Sequence, residues 1–260
     1  MRLVTWNVNS LRARLPRVLE FLAQHRPDVL LLQETKTDPD AFPHAELAEA
    51  GYVAADHSAG RWAGVAVLAR SELGLADVST GLPGEVVEDE ARWIEATVGG
   101  TLRVASVYVP NGRELDSEWY AQKLVFLEAM ARRVGELRGA ADAPELVVAG
   151  DVNVAPADVD VYDPAAFVGA THTSAPERDA LQAVVDAGLV DSFRRLHPDE
   201  VGFTWWDYRQ GHFHRGLGLR IDLILTSPAI AERLTRVGIE RDYRKGSKPS
   251  DHVPLVADWA

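Results

Sequence analysis

Leu146-Val147-Val148-Ala149-Gly150-Asp151-Val152-Asn153 is the stretch whose reading decides the fold. Residues 146–150 are aliphatic or small with no polar alternation, the pattern of a strand covered on both faces. The run stops on Asp151, with Asn153 two residues on. The same pattern recurs outward along the chain. Residues 3–8 read as a strand carrying Asn7 near its end. Residues 29–33 are followed by Glu34, and Val107-Tyr108 leads into Pro110-Asn111. Asp222 interrupts the apolar run over 221–226, and Ser250-Asp251-His252 precedes another over 253–258. Further strands are expected at 65–69, 93–98 and 102–108, the last two joined by a Gly99-Gly100 hairpin turn.

Helical patterns alternate with these strands. Over 116–137, Tyr120, Leu124, Leu127, Ala131 and Val134 recur at spacings of 4, 3, 4 and 3, an amphipathic stripe. Asp116 or Ser117 caps its start and Gly139 closes its end. After the first strand, Leu15, Val18, Leu19 and Leu22 share a helix face, with Pro16 expected in the first turn. Residues 176–187 form a third helix. No Ser/Gly linker, low-complexity tract, short-period repeat or shift of composition divides the 260 residues. The expectation is one domain over 1–260, of α/β class (α+β type) with mixed strand pairing.

Composition narrows the function. The chain has no cysteine, which removes disulfides, thiolate catalysis, zinc fingers and iron–sulfur clusters together. No apolar run approaches the roughly 20 residues that span a bilayer. The first residues read as a strand, not a signal peptide. A soluble, cytoplasmic protein without membrane association is expected. The net charge of −12 opposes nucleic acid as a whole-surface sum, but binding is local. Between Asp207 and Asp222 there is no acid, whereas Arg209, Arg215, Arg220, His212 and His214 are present. Arg241, Arg244, Lys245 and Lys248 form a second basic cluster, and acids gather at Glu85, Glu88, Asp89 and Glu90.

In α/β architectures ligands bind at strand ends. If the polar strand ends converge, they form a pocket of three or four carboxylates, two Asn, one Tyr and one His. Carboxylates so crowded repel unless a cation compensates. Glu34, Asp151 and Asp251, with Asn carbonyls and water, are hard oxygen ligands that favour Mg²⁺ or Mn²⁺ over zinc. A serine hydrolase is disfavoured. Ser250, Asp251 and His252 are adjacent and point to alternate faces, and no Gly-x-Ser-x-Gly elbow exists. No P-loop motif occurs.

Five motifs in order make the chain similar to a known family. They are Thr5-Trp6-Asn7-Val8-Asn9-Ser10-Leu11-Arg12, the segment 27–36 ending Leu32-Gln33-Glu34-Thr35-Lys36, Gly150-Asp151-Val152-Asn153, Arg220-Ile221-Asp222-Leu223-Ile224-Leu225-Thr226-Ser227, and Ser250-Asp251-His252-Val253-Pro254-Leu255. With Asp191-Ser192-Phe193-Arg194 and Phe203-Thr204-Trp205-Trp206, the chain resembles the exonuclease III family of AP endonucleases, within the endonuclease/exonuclease/phosphatase superfamily. It departs from the family pattern at Arg195, usually Lys, His or Gln, and at Gly216, usually Asn. Neither position is catalytic; both bear on substrate preference.

The resemblance implies a four-layer α/β sandwich, two packed mixed β-sheets flanked by helices, as a single endonuclease/exonuclease/phosphatase domain. It implies a monomeric DNA-repair nuclease on double-stranded DNA, cutting 5′ to abasic sites and/or trimming 3′ ends. Tyr108, Asp151, Asn153, Asp222 and His252 would be catalytic, with a lone Asp, an Asp–His pair or a Tyr108 phenolate as base. Asn7, Glu34, Asp151, Asn153, Asp251 and His252 would surround the metal. Asn111, Arg113, Trp205, Arg209, Leu219, Arg220 and Ile221 would meet DNA, with Trp205, Leu219 and Ile221 lining a pocket for a baseless sugar. Arg92 and Lys36 are weaker candidates for phosphate contact. One of Trp205 and Trp206 is expected in the core and the other at the substrate. Two alternatives stand beside this reading. One is a phosphodiesterase of the same fold acting on RNA or a small phosphate ester. The other is a non-catalytic DNA-binding relative.

Overall fold

The computed structural model describes residues 1–86, 90–139 and 142–260. Glu88 and Asp89 of the acidic cluster lie outside the described residues. The strands are β1 (Arg2–Asn7), β2 (Val29–Gln33), β3 (Tyr52–His57), β4 (Val65–Arg70), β5 (Leu75–Thr80), β6 (Trp93–Val98), β7 (Leu102–Tyr108), β8 (Glu145–Asp151), β9 (Val190–Asp191), β10 (Asp222–Thr226), β11 (Leu234–Ile239) and β12 (Leu255–Trp259). The α-helices are α1 (Leu11–His25), α2 (His44–Glu49), α3 (Glu118–Gly139), α4 (Ala175–Asp186), α5 (Ser192–Leu196), α6 (His212–Arg215) and α7 (Pro228–Ala231).

Two six-stranded sheets result, ordered β11-β12-β1-β2-β4-β3 and β5-β6-β7-β8-β10-β9. Each has one parallel pair at its centre, β1 with β2 and β7 with β8, and antiparallel partners on either side. A parallel pair needs a crossover, and α1 and α3 supply the two. The centre is a dry layer between the sheets, with Leu3, Leu31 and Val67 facing Val104, Val147 and Ile224. Outside, α1 covers the first sheet with Val18, Phe21 and Leu22, and α3 and α4 cover the second with Phe126, Met130, Leu181 and Val184. The four-layer sandwich expected from the family resemblance is the fold observed.

Three details correct the sequence reading. The first helix begins at Leu11, so Pro16 sits inside it and not in its first turn. The buried face of α3 runs through Lys123, Phe126, Leu127, Met130 and Val134, rotated from the stripe through Tyr120, Leu124 and Ala131. Asp222 opens β10 instead of interrupting it. Gly99 and Gly100 both take positive φ in the β6–β7 turn, as the hairpin requires.

The pairing sets where polar groups collect. Both parallel pairs end on the same side, at Asn7 and Gln33 in one sheet and at Tyr108 and Asp151 in the other. Just beneath, the sheets are bonded to each other. Thr5 Oγ1 donates to Gln33 Oε1 (3.2 Å), Gln33 Nε2 donates to Ser106 Oγ (2.9 Å), and Ser106 Oγ donates to Leu32 O (2.9 Å). A satisfied buried network of this kind fixes one sheet against the other.

Candidate active site

Glu34 follows β2 with φ 51°, a left-handed conformation uncommon for a side chain without local hydrogen bonding. Ser10 N–H donates to Glu34 O at 2.7 Å and holds that turn. Asn153 is also left-handed, at φ 52°, and its N–H donates to Asp151 Oδ1 (3.0 Å). Gly150 is required one residue before Asp151, because a Cβ there would lie 1.9 Å from Val107 O on the paired strand.

The strand ends converge. A ligand atom from each of Glu34, Asp151 and His252 lies within 4.8 Å of the others. Asn7 Nδ2 bridges the two carboxylates, donating to Glu34 Oε1 (2.8 Å) and Asp151 Oδ2 (2.9 Å). His252 Nδ1 is 2.8 Å from Asp222 Oδ2, and its Nε2 is 3.6 Å from Asp151 Oδ2. Ser250 Oγ donates to Asn7 O (2.8 Å) and Trp6 Nε1 to His252 O (3.3 Å), which seats the segment before β12 against β1.

Electrostatics follow from this crowding. Burial pushes the Asp151 carboxyl up, His252 pulls it back, and Asp222 and Glu34 add to the rise, leaving it at about 7. Burial disfavours the His252 cation, but Asp222 and Asp151 outweigh burial and hold the imidazolium up to about 10. Burial raises the Asp251 carboxyl, yet His252 and donors on Asn9 (3.0 Å) and Trp205 (3.1 Å) bring it below its ordinary value. Burial and then the Glu34 charge push the Tyr108 phenol well above its usual range. The neutral phenol is therefore favoured while Glu34 carries its charge uncompensated.

The two asparagines of the predicted ligand set are held by local hydrogen bonds. Asn7 faces the carboxylates with its amide nitrogen, while its Oδ1 accepts from Asn9 N–H (3.0 Å). Asn153 Oδ1 accepts from Asn111 Nδ2 (3.2 Å) and its Nδ2 donates to Val109 O (2.9 Å). The Asn7 side chain and the Asn153 backbone N–H both position carboxylates, and each amide oxygen keeps a lone pair beyond its one hydrogen bond. Glu34 and Asp151 supply hard oxygen donors, and burial, then the Asp222 and Glu34 charges, disfavour the Asp151 carboxylate in a way a divalent cation would offset, so the residues fit such an ion.

The expected DNA contacts divide. Arg113 is exposed, its guanidinium 4.2 Å from the Trp119 ring centroid. Arg209 is exposed and forks onto Asp207. Asn111 stands between Arg113 N–H and Asn153. Trp205 is half-buried and Trp206 buried, so Trp206 is the core member of the pair. Leu219 and Ile221 are buried with Ala155 and Val161 under Trp205, so they back that side chain and do not form an open surface. Arg220 corrects the sequence reading outright. It is fully buried and bonds Asp160 through Nε (2.6 Å) and Nη2 (3.1 Å) and Asp191 through Nη1 (2.9 Å), out of reach of a phosphate.

Sequence reading missed the group that holds Asn153. Lys123 Nζ donates to Asn153 O (2.7 Å) and pairs with the buried Glu177. His172 Nδ1 donates to the same carbonyl at 2.6 Å, and burial, with Lys123 beside it, lowers its pKa to about 4. The available signal was the phase of α3, because Phe126 and Met130 place Lys123 on the apolar row.

Residues 4–252 match the Endonuclease/Exonuclease/phosphatase family. The chain belongs to this family. It is 33% identical over 277 residues to the exodeoxyribonuclease III of Haemophilus influenzae, covering all of both chains. It is 31% identical to an exodeoxyribonuclease of Bacillus subtilis over 98% of each. Among solved structures, a 3′ phosphatase from Neisseria bound to a product DNA hairpin superposes with a TM-score of 0.96 at 42% identity, covering 100% of this chain and 99% of that one. An AP endonuclease from Archaeoglobus fulgidus gives 0.92 at 37%, with the same coverage. Against this endonuclease/exonuclease/phosphatase background, the order of strands and the convergence of Glu34, Asp151 and His252 describe a hydrolytic nuclease.

Proposed function

We infer that the protein is a DNA-repair nuclease that hydrolyses phosphodiester linkages of duplex DNA, cutting 5′ to abasic sites and/or trimming 3′ ends, with Mg²⁺ or Mn²⁺. The observation that carries this is the meeting of Glu34, Asp151 and His252 within 4.8 Å from three distant parts of the chain. Full-length similarity to nucleases supports it.

Glu34 and Asp151 would hold the cation, which when bound polarises a phosphate oxygen and stabilises the leaving alkoxide. Asp151 orients the attacking water and accepts its proton. His252, kept protonated by Asp222, donates from Nε2 to a non-bridging oxygen. Tyr108 donates its phenolic proton in a hydrogen bond to the phosphate. Asn7 and Asn153 hold the two carboxylates in register. Arg113 and Arg209 reach the DNA backbone from exposed loops, and Trp205 packs against the sugar.

The test uses four labelled duplexes: one with a central abasic site, one with a recessed 3′ end, one with a 3′-phosphate, and one intact. Cation-dependent cleavage of the first or second is expected, with the intact strand interior left uncut. Turnover of none of them, or turnover unaffected by chelation, overturns the assignment.

A further inference from the structure

Buried cations in this protein are paired with carboxylates, with one exception. Among the described residues the buried lysines and arginines are Arg103, Lys123, Arg220 and Arg244. Arg103 pairs with Glu95, Lys123 with Glu177, and Arg220 with Asp160 and Asp191. Arg244, 9% exposed, makes no ion pair among the described residues, and Asp251 and Asp207 act on it only from longer range. Its Nη2 donates to Trp206 O (3.3 Å), and its Nε is buried without a partner. Its guanidinium lies 4.8 Å from the Tyr208 ring centroid and 5.6 Å from that of Phe213, so aromatic faces offset only part of the cost. Burial lowers its pKa, and Tyr208, Asp251 and Asp207 offset only part of that fall. An unpaired buried charge is costly, and an anion is what removes that cost.

Arg244 opens onto a cavity of about 340 Å³, walled also by His212, His214, Lys245, Tyr208 and Pro249. Among the described residues Asp207 is its one carboxylate lining, and both oxygens of Asp207 are engaged by Arg209. The cavity borders the active site through the chain. Trp206 accepts from Arg244 at its carbonyl and donates its N–H to Asp251 O (3.0 Å), and Tyr208 Oη donates to Pro249 O (2.9 Å).

We propose that this cavity is a second phosphate site, binding an oxyanion other than the one that reacts. Two sources share that chemistry: a backbone phosphate of the bound duplex, which rests on the nuclease reading above, and free inorganic phosphate, which does not. Arg244→Met separates the outcomes, because it replaces an unpaired buried charge with an apolar chain and should keep or raise the melting temperature. His212→Gln, in the same cavity, is the second variant.

For a duplex phosphate, binding of uncleaved abasic DNA in chelator weakens in Arg244→Met, and the slope of log affinity against log salt falls by about 1. For the free anion, inorganic phosphate raises the melting temperature of the native protein and not of Arg244→Met, while the salt slope is unchanged. Phosphate stabilisation that survives in both variants, together with an unaltered salt slope, overturns the proposal. Absence of DNA cleavage by the native protein would defeat the nuclease reading and leave the free-phosphate arm standing.

Discussion

Asp151 is pulled in opposite directions by its neighbours, and its chemistry follows from the balance. Asn7 and the Asn153 N–H favour its charge, and burial and two nearby carboxylates oppose it. Asp151→Asn keeps the shape and removes the basicity, so turnover on abasic DNA should drop by at least about 100-fold with binding nearly unchanged. Steady-state rates and a gel-shift titration check both halves. His252 gives a pH signature in the unfolding of the chelated protein. Its folded pKa of about 10 stands above the ordinary 6.5, so its stabilising contribution is full below about 6.5 and is lost as pH rises towards 10. Melting temperature should decline over that window, and His252→Asn should flatten the decline. Arg220→Ala belongs here too. It opens a space beside buried Asp160 and leaves that carboxylate only the Arg194 pair, so stability should fall, by at most about 3–5 kcal/mol, in denaturant titration. The salt slope of DNA binding should stay as it was.

At the element scale, β8 depends on a missing side chain. Gly150 pairs in parallel with Val107, and the strand approach leaves no room for a Cβ. Gly150→Ala should therefore destabilise by at least about 3 kcal/mol, read from the denaturation midpoint. How much could be read from sequence also shows element by element. β2 and β8 are uninterrupted aliphatic runs because both faces are covered, and they were legible for that reason. β5 exposes five of its six residues, and β9 has only two, so neither imposes a hydrophobic period on the sequence. The tilt of α3 was misread because a buried lysine sits where periodicity expects a hydrophobe. Asn7, Glu34, Asp151 and His252 were legible because polar residues ending apolar runs are conspicuous. Lys123, His172 and Glu177 were not, since their partners lie in backbone carbonyls and distant loops that no local pattern encodes.

Across the whole molecule, charge is arranged by locality. The net charge of −12 coexists with an exposed Arg113 lining the same cavity as Glu34 and Tyr108. Chelation with EDTA should abolish cleavage and added Mg²⁺ should restore it, measured on the abasic duplex; metal-independent cutting would contradict the role given to Glu34. Sequence arithmetic overestimated the basic face, because an arginine's letter does not reveal whether a carboxylate already claims it, as Asp160 claims Arg220.

The strand order carries a further consequence. β12 lies directly against β1, and the imidazole that meets Asp151 enters just ahead of β12. On the proposed mechanism, a chain emerging from the ribosome holds Asn7, Glu34 and Asp151 long before the imidazole that faces them, and cleavage of DNA would wait until synthesis passes residue 252. In refolding, the first appearance of cleavage should coincide with closure of that last strand, making catalysis itself a reporter of completed folding.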